Sequence, residues 1–141
     1  MNSIVLKAGR QKSLLRKHPW IFSGAIADVQ GKPLPGETVQ VKDASGKLLA
    51  QAAYSPTSQM RGRVWSFDPE VSINPDFFRK RLQSAFDRRM ALGLGQQADS
   101  ATRLVYSESD GLPGLIIDRY AGVLVCQFLS AGVEYWRETI L

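Results

Sequence analysis

Arg16-Lys17-His18-Pro19-Trp20-Ile21-Phe22-Ser23-Gly24-Ala25-Ile26 sets two cations and the chain's only histidine directly before a proline, followed by three bulky apolar residues and a Ser-Gly pair. Proline holds φ near the helical value and has no N–H to satisfy, so Pro19 suits the first position of a short helical turn. That turn is expected to tuck Trp20, Ile21 and Phe22 under a sheet as a buried wedge, leaving Arg16 and Lys17 in water at its rim. A hydrophobic plug joined to a cationic edge is one way for a small β-domain to offer charge to a phosphate backbone.

Upstream, Ile4 to Lys7 reads as a first strand. Arg10 to Lys17 reads as a basic turn or short helix, with Leu14 and Leu15 pointing inward and Arg10, Lys12, Arg16 and Lys17 outward. Downstream, Ala25 to Val29 is a second strand, and Gln30 to Gly36 is a loop by its Pro and Gly content. Thr38 to Lys42 alternates with period two, Asp43 to Gly46 is a turn, and Lys47 to Tyr54 returns as a strand, which together predict a hairpin. Past the loop Ser55 to Gln59, Arg61 to Phe67 forms a last strand carrying Arg61, Arg63, Val64, Trp65 and Phe67. Short strands at close intervals with turn chemistry between them imply a compact barrel of mixed β character.

The composition changes between Asp68 and Pro75, and a domain boundary is placed there. Asn74 is expected as an N-cap, with Pro75 at the first helical position and Asp76 where the helix dipole favours an acid. Phe78, Leu82, Ala85, Phe86 and Met90 recur at three- and four-residue spacings, as one face of a helix that Gly93 and Gly95 stop. Thr102 to Tyr106, Leu115 to Asp118 and Val123 to Phe128 read as strands, with turns at Asp110 to Gly114 and Tyr120 to Gly122. From Val133 the pattern turns helical again. Two helical turns ending at Leu141 are too short to be stable alone, so the chain is expected to continue or to dock there.

A length of 141 residues suits one domain or two small ones. The net charge of +5 is unevenly spread. Residues 1–67 hold ten Lys and Arg against three Asp and Glu, a balance of +7, while residues 68–141 hold eight against ten, a balance of −2. A positive field confined to the first half points to a polyanion as its partner. No run approaches the ~20 apolar residues of a membrane span, and the early charge at Lys7 does not fit a secretory signal. A single cysteine excludes an internal disulfide, making a reducing, cytoplasmic setting the default. Cys126 is expected as an inert core thiol among Val123, Leu124, Val125 and Phe128.

No catalytic or metal-ligating set emerges. His18 has no second histidine to share a metal or dyad with. Glu108, Asp110 and Asp118 gather around a turn without a positioned base, with Arg103 and Arg119 as their candidate partners. Gly93-Leu94-Gly95 follows a helix rather than a strand, the wrong context for a cofactor's phosphates, so no cofactor site is expected in this chain.

Lys17-His18-Pro19-Trp20-Ile21-Phe22-Ser23-Gly24-Ala25-Ile26 and, later, Arg103-Leu104-Val105-Tyr106-Ser107-Glu108-Ser109-Asp110-Gly111-Leu112-Pro113-Gly114-Leu115-Ile116-Ile117-Asp118-Arg119-Tyr120 are two long motifs in a particular order. Together they resemble the N-terminal third of the bacterial 23S ribosomal RNA methyltransferases that make 5-methylcytosine. The resemblance implies an α+β chain: a PUA-like RNA-binding barrel over residues 1–70, a linking helix, and a small central α+β domain (hairpin plus helix) over residues 74–141. It also implies a C-terminal methyltransferase domain beyond residue 141, carrying the catalytic cysteines and the S-adenosylmethionine site. The implied partners are structured RNA, 23S ribosomal RNA in this family, and that catalytic domain. With the charge pattern, this makes Arg10, Lys12, Arg16, Lys17, His18, Arg61 and Arg63 the candidate RNA-binding residues. The alternative is a PUA-like module whose basic face meets an acidic protein and serves regulation.

Overall fold

Val39 and Val41, the inward face of the alternating run, are fully buried, and their strand pairs on both sides. The computed structural model describes residues 2–93 and 101–141, and the chain divides into two compact units, Met1–Ser72 and Ile73–Leu141. The first unit contains β1 (Ser3–Leu6), α1 (Lys12–Leu15), β2 (Trp20–Phe22), β3 (Ile26–Gln30), β4 (Thr38–Lys42), β5 (Leu48–Tyr54) and β6 (Met60–Ser66). These strands form one mixed sheet in the order β2-β6-β5-β4-β1-β3, in which only β1 and β4 run parallel. With β2 and β3 as its two edges, the sheet is a curled half-barrel. Its core gathers Ile4, Leu6, Leu14, Ile21, Val39, Val41, Ala50, Ala52 and Val64. Each large aliphatic side chain so buried contributes about 1.5–3 kcal/mol.

Two expectations in this unit are corrected. Trp20–Phe22 is a strand and not a helical turn, because the φ of proline serves extended chain as well as helix. The Pro19 carbonyl accepts the Val64 N–H at 2.7 Å, which commits the following residues to pairing with β6. Strand alternation then sends only Ile21 into the core and leaves Phe22 49% exposed, so there is no buried Trp-Phe wedge. Leu15 is the second correction. It is 62% exposed while Leu14 is buried, since a helix of four residues has room for one inward side chain.

The second unit holds α2 (Pro75–Ala91), β7 (Ala101–Tyr106), β8 (Leu115–Tyr120), β9 (Val123–Phe128), α3 (Ala131–Tyr135) and α4 (Arg137–Ile140). Asn74 Oδ1 accepts the Phe77 N–H at 2.9 Å, and Pro75 opens the helix as its spacing predicts. Gly93 ends it in the left-handed region at φ +76°, whereas Gly95 lies outside the described residues. The inward face of α2 is Phe77, Phe78 and Ala85, with Phe78 against the Trp136 ring at 4.9 Å between centroids. Met90, expected on that face, is exposed. The strands form an antiparallel meander, β7-β8-β9, that buries Val105, Leu115 and Ile117. β9 is an edge of this sheet. Val123, Leu124 and Val125 are exposed in succession, and Cys126, opposite Ile117, is only half-buried. The core position expected for that thiol is therefore corrected: an edge strand is covered less than its apolar run suggests.

Candidate nucleic-acid interface

The cationic stretch is shaped by the way α1 ends. The Lys17 N–H donates to Leu14 O at 2.9 Å and the His18 N–H to Ser13 O at 3.0 Å, the paired hydrogen bonds of a Schellman motif. The residue following the cap must then be left-handed, and here it is Lys17, at φ +64°, where glycine is the usual occupant. A side chain held there costs about 1 kcal/mol, and strain of this kind tends to be kept where function needs the side chain. Lys17→Gly is accordingly expected to raise stability by about 0.5 kcal/mol, less any loss from the Lys17 Nζ contact 5.1 Å from the Phe67 ring centroid. The urea midpoint measures this, and a lower midpoint would contradict the strain argument.

From the cap the chain enters β2, whose register with β6 sorts the side chains. Ile21 lies opposite Gly62, and a Cβ there would stand 3.3 Å from Ile21 Cδ1, so glycine lets the two strands close over the core. Trp20 lies opposite Arg63, and directly opposed residues share a face, so both sit on the side away from Ile21. The register shifts between Ile21 and Phe22, and Phe22 pairs with Met60. Arg61 Nε donates to Ser58 O at 2.9 Å. His18, Trp20 and Phe22 follow one another edge to face, with centroids 5.5 and 6.5 Å apart. A cleft of about 100 Å³ is lined by Arg10, Ser13 and Leu14 on one side and by Trp20 and Phe22 on the other.

The structure thus brings four of the candidate residues to Trp20 or its neighbours in sequence: Arg10 through the cleft, Lys17 and His18 through the cap, and Arg63 through the register. Arg16 is exposed at the same cap, Arg61 lies two residues before Arg63, and Lys12 is exposed on α1 outside the cleft lining. Phe22 is the member that sequence reasoning missed as a surface group, while Trp20 is half-buried. The signal for it was present in the alternation of Trp20, Ile21 and Phe22.

Electrostatics separates the two units. Among the described residues, Arg10, Lys12, Arg16, Lys17 and Arg61 make no ion pair. In the second unit acids pair with Arg79, Arg88, Arg89, Arg103 and Arg137. Asp76 pairs with Arg79 and Lys80, Asp110 with Arg88 and Arg89, Asp118 with Arg103, and Glu134 with Arg137. Burial alone would push the Asp110 carboxyl up, but hydrogen bonds from Arg89, Arg88 and the Tyr106 N–H outweigh it and hold it down at about 2. The Arg103 guanidinium, 2.7 Å away, likewise lowers Asp118. Both carboxylates are structural clamps, not an acid/base pair.

The second unit's sheet and its turns can be compared with the strand-turn-helix pattern that holds a nucleotide cofactor. The β7-β8-β9 sheet is antiparallel, and no glycine-rich turn leads from a strand into a helix among the described residues. Those residues also hold no group of three or more His, Cys, Asp or Glu placed to bind a metal, and no helix long and apolar enough to cross a membrane.

The first unit is a half-barrel with an edge strand flanked by a basic helix cap, and residues 4–67 match the family model described as a PUA-like domain. The likeness to particular proteins runs further along the chain. It is 54% identical over 138 residues to the ribosomal RNA large subunit methyltransferase I of Erwinia tasmaniensis and 53% identical to that of Shewanella amazonensis, in each case over 98% of this chain. The chain spans 35% of the length of these curated relatives and corresponds to their N-terminal part. A solved chain from Streptococcus mutans described as a SAM-dependent methyltransferase shares the fold. Its TM-score is 0.82 at 23% identity, over 99% of this chain and 36% of that one. A second solved methyltransferase, complexed with SAH, gives a TM-score of 0.83 at 23% identity.

Proposed function

We propose that this chain is the RNA-positioning part of a SAM-dependent ribosomal RNA (cytosine-C5) methyltransferase of the cytoplasm. It holds structured 23S RNA for a catalytic domain that carries the S-adenosylmethionine site. The candidate contacts are Arg10, Lys12, Arg16, Lys17, His18, Arg61 and Arg63. The observation that carries this reading is the absence, among the described residues, of ion pairs to Arg10, Lys12, Arg16 and Lys17 around the α1 cap, while Arg79, Arg88, Arg89, Arg103 and Arg137 of the second unit are engaged by acids. Cations that no carboxylate neutralises remain available to phosphates, and releasing the counterions of those phosphates makes binding steeply salt-dependent. The kinship to ribosomal RNA methyltransferases supports the choice of RNA over an acidic protein.

Fluorescence anisotropy with a structured 23S fragment across a salt series tests the reading. The expected result is an affinity that falls linearly on a log-log plot against salt. Alanine at both Arg16 and Lys17 should weaken binding alike for all sequences and flatten the slope by roughly 2, one phosphate contact per cation. Absent binding at low salt, or affinity indifferent to salt, would reject it.

A further inference from the structure

Phosphate contacts account for the cations, Arg10 of the α1–β2 cleft among them, but leave two features of that cleft unexplained. Phe22 exposes half of its surface on an edge strand, where an apolar ring gains nothing from water. The indole N–H of Trp20 is buried yet has no hydrogen-bond acceptor among the described residues. A buried donor left unpaired is unfavourable, and native structures seldom leave one without a purpose. Arg10 lines the same cleft without an ion pair among the described residues. Phe22, Trp20 and Arg10 all line that cleft, and a flat apolar face, an unanswered donor and a free cation match the three parts of a nucleotide: the base plane, its polar edge and its phosphate.

Resting on the RNA-binding reading above, we propose that this cleft receives one unpaired nucleotide of the bound RNA. Its base stacks on Phe22, a base acceptor meets Trp20 Nε1–H, and its phosphate faces Arg10. A paired base does not fit this role. Inside an A-form helix both faces of the base are already stacked, and the major groove is too deep and narrow for side chains to read. Stacking uses the π-face that every base has, so the preference is for an extruded nucleotide over a paired one rather than for one base over another. The cations at the α1 cap then hold the flanking backbone, which fixes register without reading sequence.

Two hairpin RNAs of equal length, one fully paired and one with a single bulged nucleotide, separate this inference from the reading beneath it. The whole chain is expected to bind the bulged RNA about tenfold more tightly, and 2-aminopurine at the bulge should lose fluorescence as it stacks. Phe22→Leu keeps the apolar bulk but removes the flat ring, so the preference should disappear. Phe22→Tyr keeps the ring and should retain it. Equal affinity for the two RNAs, with Phe22→Leu indistinguishable from wild type, overturns the nucleotide cleft while leaving phosphate-driven binding in place. Failure to bind either RNA overturns the underlying reading and this one together.

Discussion

Asp110→Asn is expected to destabilise the second unit by about 3 kcal/mol at neutral pH, one of the two largest effects anticipated here. The Asp110 side chain is 2% exposed. It accepts from Arg89 at 2.6 and 2.8 Å, from Arg88, and from the Tyr106 N–H at 2.7 Å, so one carboxylate ties α2 to the end of β7. Asparagine is similar in size but neutral, and it leaves the 16% exposed Arg89 without its counter-charge. The pH dependence carries its own signature. A carboxyl near 2 in the folded chain, against an ordinary value of 3.8, contributes stability that is complete above about pH 4 and is lost as pH falls through 2. That contribution is about 2 kcal/mol. The gap between wild type and Asp110→Asn should therefore narrow by about that amount between pH 5 and 2. Urea unfolding, read with hydrogen exchange at the Tyr106 amide, measures both. A gap that stays constant with pH would remove the electrostatic explanation.

Gly114→Ala is expected to cost about 3 kcal/mol, and for a different reason. Gly114 sits at φ +86°, where a Cβ is strained by about 1 kcal/mol. The added atom would also stand 2.6 Å from Ser130 Cβ and 3.0 Å from the Ser130 backbone nitrogen. The backbone has no freedom to yield. The Gly114 N–H donates to Ser107 Oγ at 2.8 Å, its carbonyl accepts from the Leu129 N–H at 2.7 Å, and Ser130 Oγ donates to Pro113 O at 3.1 Å. Ser130→Gly combined with Gly114→Ala should recover part of the loss by removing the side chain that is struck. Differential scanning calorimetry of the single and double variants tests this. A double variant no more stable than the single would assign the whole cost to backbone strain.

What could be read from the residues alone followed from how local each signal is. Thr38 to Lys42 announces its strand because the period is intact over five residues, and Asn74-Pro75 announces a helix start because capping needs only neighbours. Trp20–Phe22 went the other way. Proline is compatible with two continuations, and the choice lay with Val64, 45 positions along the chain, whose N–H takes the Pro19 carbonyl. Asp110 looked like the first residue of an Asp-Gly turn, since Arg88 and Arg89 lie more than twenty residues upstream and only tertiary packing brings them to it. The six candidate cations come from the charge pattern, and His18 from its place beside Arg16 and Lys17. The exposure of Phe22 was not legible, because apolar residues are read as interior until a register assigns them a side.

β9 carries a practical consequence. Its outer main-chain donors and acceptors have no neighbouring strand among the described residues, and Val123, Leu124 and Val125 stand out from it in a row. Such an edge is a template for any extended greasy segment that drifts past, another copy's β9 included. For the isolated chain, colloidal behaviour rather than folding free energy sets how concentrated a sample can become.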